Sequence, residues 1–280
     1  MLLIASLVGL VMVGGLALAG LGEFDENEGL FSGGEANDTL TGSEGDDQLG
    51  GQDGDDLIVA GPGDDLGFGH EGRDSISGGD GNDSLLGGDE DDFLFGNAGD
   101  DTLIGGNADD FLSGDAGNDS LVGGMGLDSL DGGLGNDALI GGLGDDVLSG
   151  GAGFDTLNGG AGNDLLDGHE LSDAARDFLN GGQGDDRIIA GTGDFVDGGA
   201  GSDTAVVGSW INSSEPAHIS GFNVDEDHLE ISVDTTEPDI TITEIADGLY
   251  EVACDDEVLA QVSAIGQLTS QNIIIAPMPV

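Results

Sequence analysis

The sequence is almost without positive charge: 3 Lys and Arg stand against 58 Asp and Glu, a formal net charge of -55 over 280 residues. Nucleic acid and anionic lipid would be repelled, which excludes a phosphate-binding surface as the main business. Cysteine is nearly absent as well. The single Cys254 permits no internal disulfide, so stability outside the cell needs another source, and a metal is the obvious substitute. Aromatic residues are scarce at 4%, and with this acidity the composition alone reads as disorder. Glycine, by contrast, is abundant at 57 residues, and its placement argues for order.

Catalytic signatures are missing too. There is no His-Glu-x-x-His helix, no Gly-x-Ser-x-Gly elbow and no Cys-x-x-Cys pair. His70 and His169 fall in glycine-rich turns and His218 and His228 near the end of the chain; they read as solvated residues rather than ligands. Stretches such as Gly133-Leu134-Gly135 open no strand–helix unit, so they do not read as a nucleotide loop. Carboxylate pairs such as Asp145-Asp146 recur along the chain, which points to metal and solvent rather than to a glycosidase pair.

From Gly33 to Asp167 the chain divides into fifteen consecutive units of nine residues. The sixth place is aspartate in every unit, and the eighth is Leu or Ile except at Gly67. The fourth place is glycine except at Ala36, Glu90 and Ala108. A segment at 168–180, four residues too long, breaks the phase yet still delivers Asp177 and Leu179. Asp186 with Ile188 follows, then Asp194 with Val196 in a unit one residue short, then Asp203 with Ala205. A register this long means stacked solenoid turns.

These units resemble the repeats-in-toxin, or hemolysin-type, calcium-binding nonapeptide Gly-Gly-x-Gly-x-Asp-x-U-x, with U large and apolar, over 33–206. The resemblance implies an all-β fold, a right-handed parallel β-roll stabilised by calcium and followed by a small antiparallel β tail domain. In that family six residues of each unit form a turn and three a short strand, and two units make one 18-residue coil. Several Ca2+ ions lie between the turns of units two apart. The metal ligands it implies are the sixth-place aspartates Asp38, Asp47, Asp56, Asp65, Asp74, Asp83, Asp92, Asp101, Asp110, Asp119, Asp128, Asp137, Asp146, Asp155, Asp164, Asp177, Asp186, Asp194 and Asp203. Fifteen uninterrupted units paired two apart allow at most about 13 ions.

The physical chemistry of the residues agrees. Calcium takes six to eight oxygens, which carbonyls and aspartates supply, and glycine pairs such as Gly78-Gly79 or Gly123-Gly124 permit the tight turns. Leu85, Leu103 and Leu121 are expected to stack on one inner face and Leu94, Leu112 and Leu130 on the opposite one. Gly67, Glu90 and 168–180 should be weak points, and 114–167 the firmest run. At the ninth place of alternate units stand Phe68, Leu86, Ile104, Val122 and Ile140, an outward ladder. Two readings stay open for it: tolerated β-formers, or a contact stripe for the tail, another copy or a surface.

Four segments are expected. Residues 1–22 form an apolar signal or membrane anchor, without a charge in the first twenty and with the small-x-small pattern Ala17-Leu18-Ala19. An acidic linker spans 23–32, the roll spans 33–206, and a C-terminal β-meander cap spans 207–280. In the cap, alternating Ile240, Ile242, then Tyr250, Val252, Cys254, then Val258, Ala260, Val262 are separated by Asp247-Gly248 and Asp255-Asp256. The resemblance implies a type I secretion signal in this tail, whereas the family's type I substrates usually lack an apolar N-terminus; both export routes stay open. Membrane contact is expected only through 1–22.

The expected function is that of a bacterial extracellular or cell-surface calcium-binding module, not an enzyme, whose folding is switched on by calcium after export and which serves in a surface, matrix or adhesion role. One alternative is the calcium-binding secretion module of a formerly larger secreted enzyme or toxin. Another is an ice-binding solenoid, although the outward places lack a regular threonine ladder.

Overall fold

The computed structural model describes residues 29–169, 175–212, 214–233 and 238–277; the expected signal or anchor at 1–22 lies outside them. Each nine-residue unit contributes one strand, because its alternation of outward and inward residues has the period of a β-strand. Strands such as Ser84–Asp89, Thr102–Asn107, Ser120–Met125 and Ala138–Leu143 run from place seven of one unit to place three of the next. They are six residues long, twice the length expected, and the turn shrinks to places four to six. The extra length comes from the glycine pair, which stays extended enough to pair with the neighbouring coil.

Successive units alternate between two sheets, and every repeat strand pairs in parallel with the unit two away. Leu85, Leu103 and Leu121 are register partners on one sheet, Leu94, Leu112 and Leu130 on the other, and all are buried. Each such side chain contributes roughly 1.5–3 kcal/mol on burial. The ladder skips place one: Leu86 faces Ile104 and Gly88 faces Gly106, while Gly87 has no register partner. At that residue the backbone leaves the ladder.

Places two and four turn the chain. Gly79 and Gly81 have φ of 126° and 134°, a region open mainly to glycine. Glu90 and Ala108 occupy the fourth place at φ 77°, so the turn geometry persists there under backbone strain. Gly67 leaves no gap in the core, since a Cβ built on it would lie 3.0 Å from both Ile76 Cγ2 and Leu85 Cδ2. Its neighbours already fill the space of the missing leucine.

The long and short units are absorbed without loss of register. Thr156 pairs with Phe178 and Phe178 with Phe195, so the strands on either side of the long and short units stay in step. Parallel stacking also continues past Val206: Val196 faces Ile219, Ala205 faces Leu229, and Leu229 faces Ile273. Arg187 grips Glu230 with two bonds of 2.8 and 2.9 Å, tying repeat to tail. The antiparallel strands Ile240–Ala246, Leu249–Cys254 and Glu257–Ile265 then close one sheet, turning where Asp247-Gly248 and Asp255-Asp256 were expected to turn. Among the described residues no helix is long and apolar enough to cross a membrane.

Candidate metal centre

The corners between the sheets carry the chemistry. Every sixth-place aspartate from Asp47 to Asp203 is buried, an arrangement that costs several kcal/mol per charge unless partners are supplied. One partner is systematic: from Asp56 to Asp203 each carboxylate Oδ1 accepts the backbone N–H of the sixth-place aspartate one coil earlier, and Asp47 Oδ1 accepts Gly29 N in the same way. Asp83 N donates to Asp101 at 2.7 Å and Asp119 N to Asp137 at 2.8 Å. The bond survives the long coil, Asp155 N to Asp177 at 2.8 Å, and the short one, Asp186 N to Asp203 at 3.0 Å.

The aspartates thus form two rows, one along each corner. The first runs from Asp38 through Asp56 and Asp74 to Asp186 and Asp203, the second from Asp47 through Asp65 and Asp83 to Asp177 and Asp194. The first row has one member that the repeat count missed. Asp203 N donates to Asp227 Oδ1 at 3.1 Å, so the tail extends it by a coil. The triplet Asp227-His228-Leu229 repeats the Asp-x-Leu pattern and was the available signal.

The second oxygen is different. At each sixth-place aspartate from Asp56 to Asp164, and at Asp186 and Asp203, Oδ2 is buried and has no hydrogen-bond partner. Three aspartates depart from this: Asp38 Oδ2 accepts Gly34 N at 2.7 Å, Asp47 Oδ2 accepts Ser43 N, and Asp194 Oδ2 accepts Gly191 N at 2.6 Å.

The partnerless oxygens converge with carbonyls on the space left by place-one glycines. A Cβ built on Gly132 would lie 2.6 Å from Asp137 Oδ2 and 2.5 Å from the Gly150 carbonyl oxygen, one coil on. Gly141 stands in the same relation to Asp146 and Gly159, and Gly181 to Asp186 and Gly198. Each cradle therefore gathers a carboxylate oxygen and a glycine carbonyl, with no donor aimed at the former. Among the described residues no three His, Cys, Asp or Glu side chains converge, so the donors to a cation here are one carboxylate and backbone oxygens. Such an oxygen-only set suits a hard cation.

Burial makes the same demand electrostatically. Desolvation, reinforced by neighbouring carboxylates, pushes Asp83, Asp110, Asp137 and Asp146 up to about 7 and Asp92 up to about 8, against the lowering effect of the N–H bond at Oδ1. These corners take up either protons or a cation.

The family model described as the RTX calcium-binding nonapeptide repeat (4 copies) matches residues 32–66, 68–103, 104–139, 140–174 and 172–205. The chain belongs to this family. Its RTX repeats form a calcium-binding β-roll, and the orphaned Oδ2 atoms and glycine cradles fit that ion. Two solved structures are similar. A subunit of the Azotobacter vinelandii mannuronan C5-epimerase is 23% identical, with TM-score 0.29, covering 51% of this chain and 80% of that one. The extracellular lipase of Serratia marcescens is 16% identical, with TM-score 0.23, covering 66% of this chain and 40% of the lipase. No curated protein sequence matches the chain significantly.

The outward ladder takes the form the spacing implied. Phe68, Leu86, Ile104, Val122 and Ile140 are successive register partners in one sheet, with Leu86, Ile104 and Ile140 exposed.

Proposed function

We propose that the chain is a non-enzymatic calcium-binding roll of the cell surface or extracellular space, which folds with calcium after export and then serves as a surface, matrix or adhesion module. The observation that supports this best is the run of buried Oδ2 atoms without donors, from Asp56 to Asp164, set against glycine carbonyls. In this reading the sixth-place aspartates, Asp38 to Asp203, together with place-one carbonyls, are the ligands. Bound calcium supplies the positive charge that lets buried carboxylates remain ionised. Without a counter-charge the aspartates repel one another at every coil and resist desolvation, so the chain stays open.

Export explains the use of such coupling. Extracellular calcium modules bind at about 10⁻⁴–10⁻³ M, far above cytosolic calcium, so mass action favours the folded roll only outside. Residues 1–22, or a signal within 207–280, carry the chain there. The roll at 33–206 is the calcium module, 207–280 its cap, and the apolar ladder from Phe68 to Ile140 its contact face.

The test is far-UV circular dichroism of the chain titrated with calcium, with magnesium and chelator as controls. A cooperative gain of β signal between about 0.1 and 10 mM calcium, absent with magnesium, is expected. An equally strong β signal in chelator would sink the coupling.

A further inference from the structure

Place one of the unit, which the metal cradles require to be empty of side chain, is not glycine throughout. It is alanine at Ala60 and Ala190. Ala60 stands opposite Gly78, because Ile58 pairs with Ile76 and Gly61 with Gly79 on either side. Gly78 shows what that position faces: a Cβ added there would collide with the carboxylate of Asp83, five residues on. The residue in that relation to Ala60 is Asp65, and both are buried, Ala60 at 0% and Asp65 at 1% exposure.

We infer that the methyl group of Ala60 closes the cradle of Asp65, so that the corner row beginning at Asp47 carries a gap in its calcium sites one coil in. The inference rests on the calcium reading above. The methyl acts on the Asp65 cradle alone, because the carbonyl of Ala60 still faces the preceding one, where a Cβ built on Gly42 would meet Ala60 O together with Asp47 Oδ2; that carboxylate oxygen is itself already committed to Ser43 N. Asp65 keeps its structural task, since its Oδ1 accepts Asp47 N at 2.7 Å. What the methyl removes is the room beside Oδ2.

Ala190 stands in the same row, near its far end, and there a second observation agrees. Asp194 Oδ2 already accepts Gly191 N at 2.6 Å, so that carboxylate is committed to the backbone. The two alanines thus confine one row to its middle, whereas the row from Asp38 to Asp203 has glycine at every place one from Gly33 to Gly159 and at Gly181 and Gly198. The two corners of the roll therefore bind unequal numbers of ions.

The test counts calcium bound at saturation by equilibrium dialysis, with folding checked by circular dichroism in calcium. Ala60→Gly is expected to bind one ion more than the native chain. Gly132→Ala, which puts a methyl into a regular cradle, is expected to bind one fewer. Ala152→Gly, at place three and outside any cradle, should leave the count unchanged. A folded Ala60→Gly with the native count would overturn the inference, as would Gly132→Ala with the native count, and the latter decides if Ala60→Gly does not fold. Absence of calcium binding in the native chain would instead sink the calcium reading itself, and this inference with it.

Discussion

The backbone N–H of Asp119 donates to Oδ1 of Asp137, 2.8 Å away and 18 residues along the chain. Asp137 therefore does two jobs with two oxygens, one holding the coil before it and the other, Oδ2, left without a donor. Substitutions separate them. Asp137→Asn keeps an acceptor for Asp119 N but loses the charge at the cradle, so the calcium midpoint should rise while the β signal of the chelated chain at about pH 4 does not fall. Asp137→Ala strands the Asp119 N–H in a buried corner and should cost about 1–3 kcal/mol more than the asparagine in saturating calcium. Thermal melts of the two variants check this; equal stability in calcium would mean that the Oδ1 bond carries no weight.

Acid should replace calcium in part. The folded-state pKa values are raised, to about 7 for Asp83, Asp110, Asp137 and Asp146 and about 8 for Asp92, while unfolded aspartate titrates near 3.9. The metal-free roll thus binds more protons than the unfolded chain between about pH 4 and 8. Its stability is fully present below the unfolded pKa and is lost as pH rises through the folded values. In chelator, β signal should grow as pH falls from 8 to 4, and the calcium needed for folding should fall as pH rises from 6 to 8, since ligands must be ionised. A chelated chain equally unfolded at both ends of the range would contradict this.

Much of the architecture was legible because one residue type recurs in one register. Aspartate at every sixth place and leucine at every eighth fix both the coil and its inner face, and glycine at place one fixes where a cation fits. Three features were not legible. The strand length was missed because extended glycines look like turn residues. Asp227 was missed because the glycines that flag a unit are absent around it, though its backbone partner Asp203 places it in the row. The Oδ1 bonds could not be read from spacing alone, since a period of 18 shows which residues neighbour each other but not which of two oxygens meets which donor.

Gly67 gives a packing prediction that opposes the simple reading of the repeat. Restoring the consensus with Gly67→Leu should destabilise the calcium-loaded roll, because Ile76 and Leu85 already lie 3.0 Å from the position of its Cβ and overpacking costs about 1–3 kcal/mol. Leu130→Ala, in a site with no such compensation and 1% exposed, should cost about 2–5 kcal/mol. Both are read from melting in saturating calcium. A Gly67→Leu chain more stable than the native one would show that a cavity exists there after all.

The tail should be required for a firm end to the roll. Ile219 and Leu229 lie directly on Val196 and Ala205, and Phe222, Leu229 and Ile231 are buried, so ending the chain at Val206 uncovers the last coil's apolar interior. It also leaves Asp203 N without its acceptor on Asp227 and frees two parallel sheet edges, which pair readily with other chains. Terminal caps of solenoids serve to prevent this. The truncated chain should still gain β signal in calcium, because the regular coils are intact, but at a higher midpoint and with concentration-dependent association seen by light scattering. A truncated chain that stays monomeric and folds at the native midpoint would mean that the coils up to Val206 need no cover, and that the tail is present for another purpose.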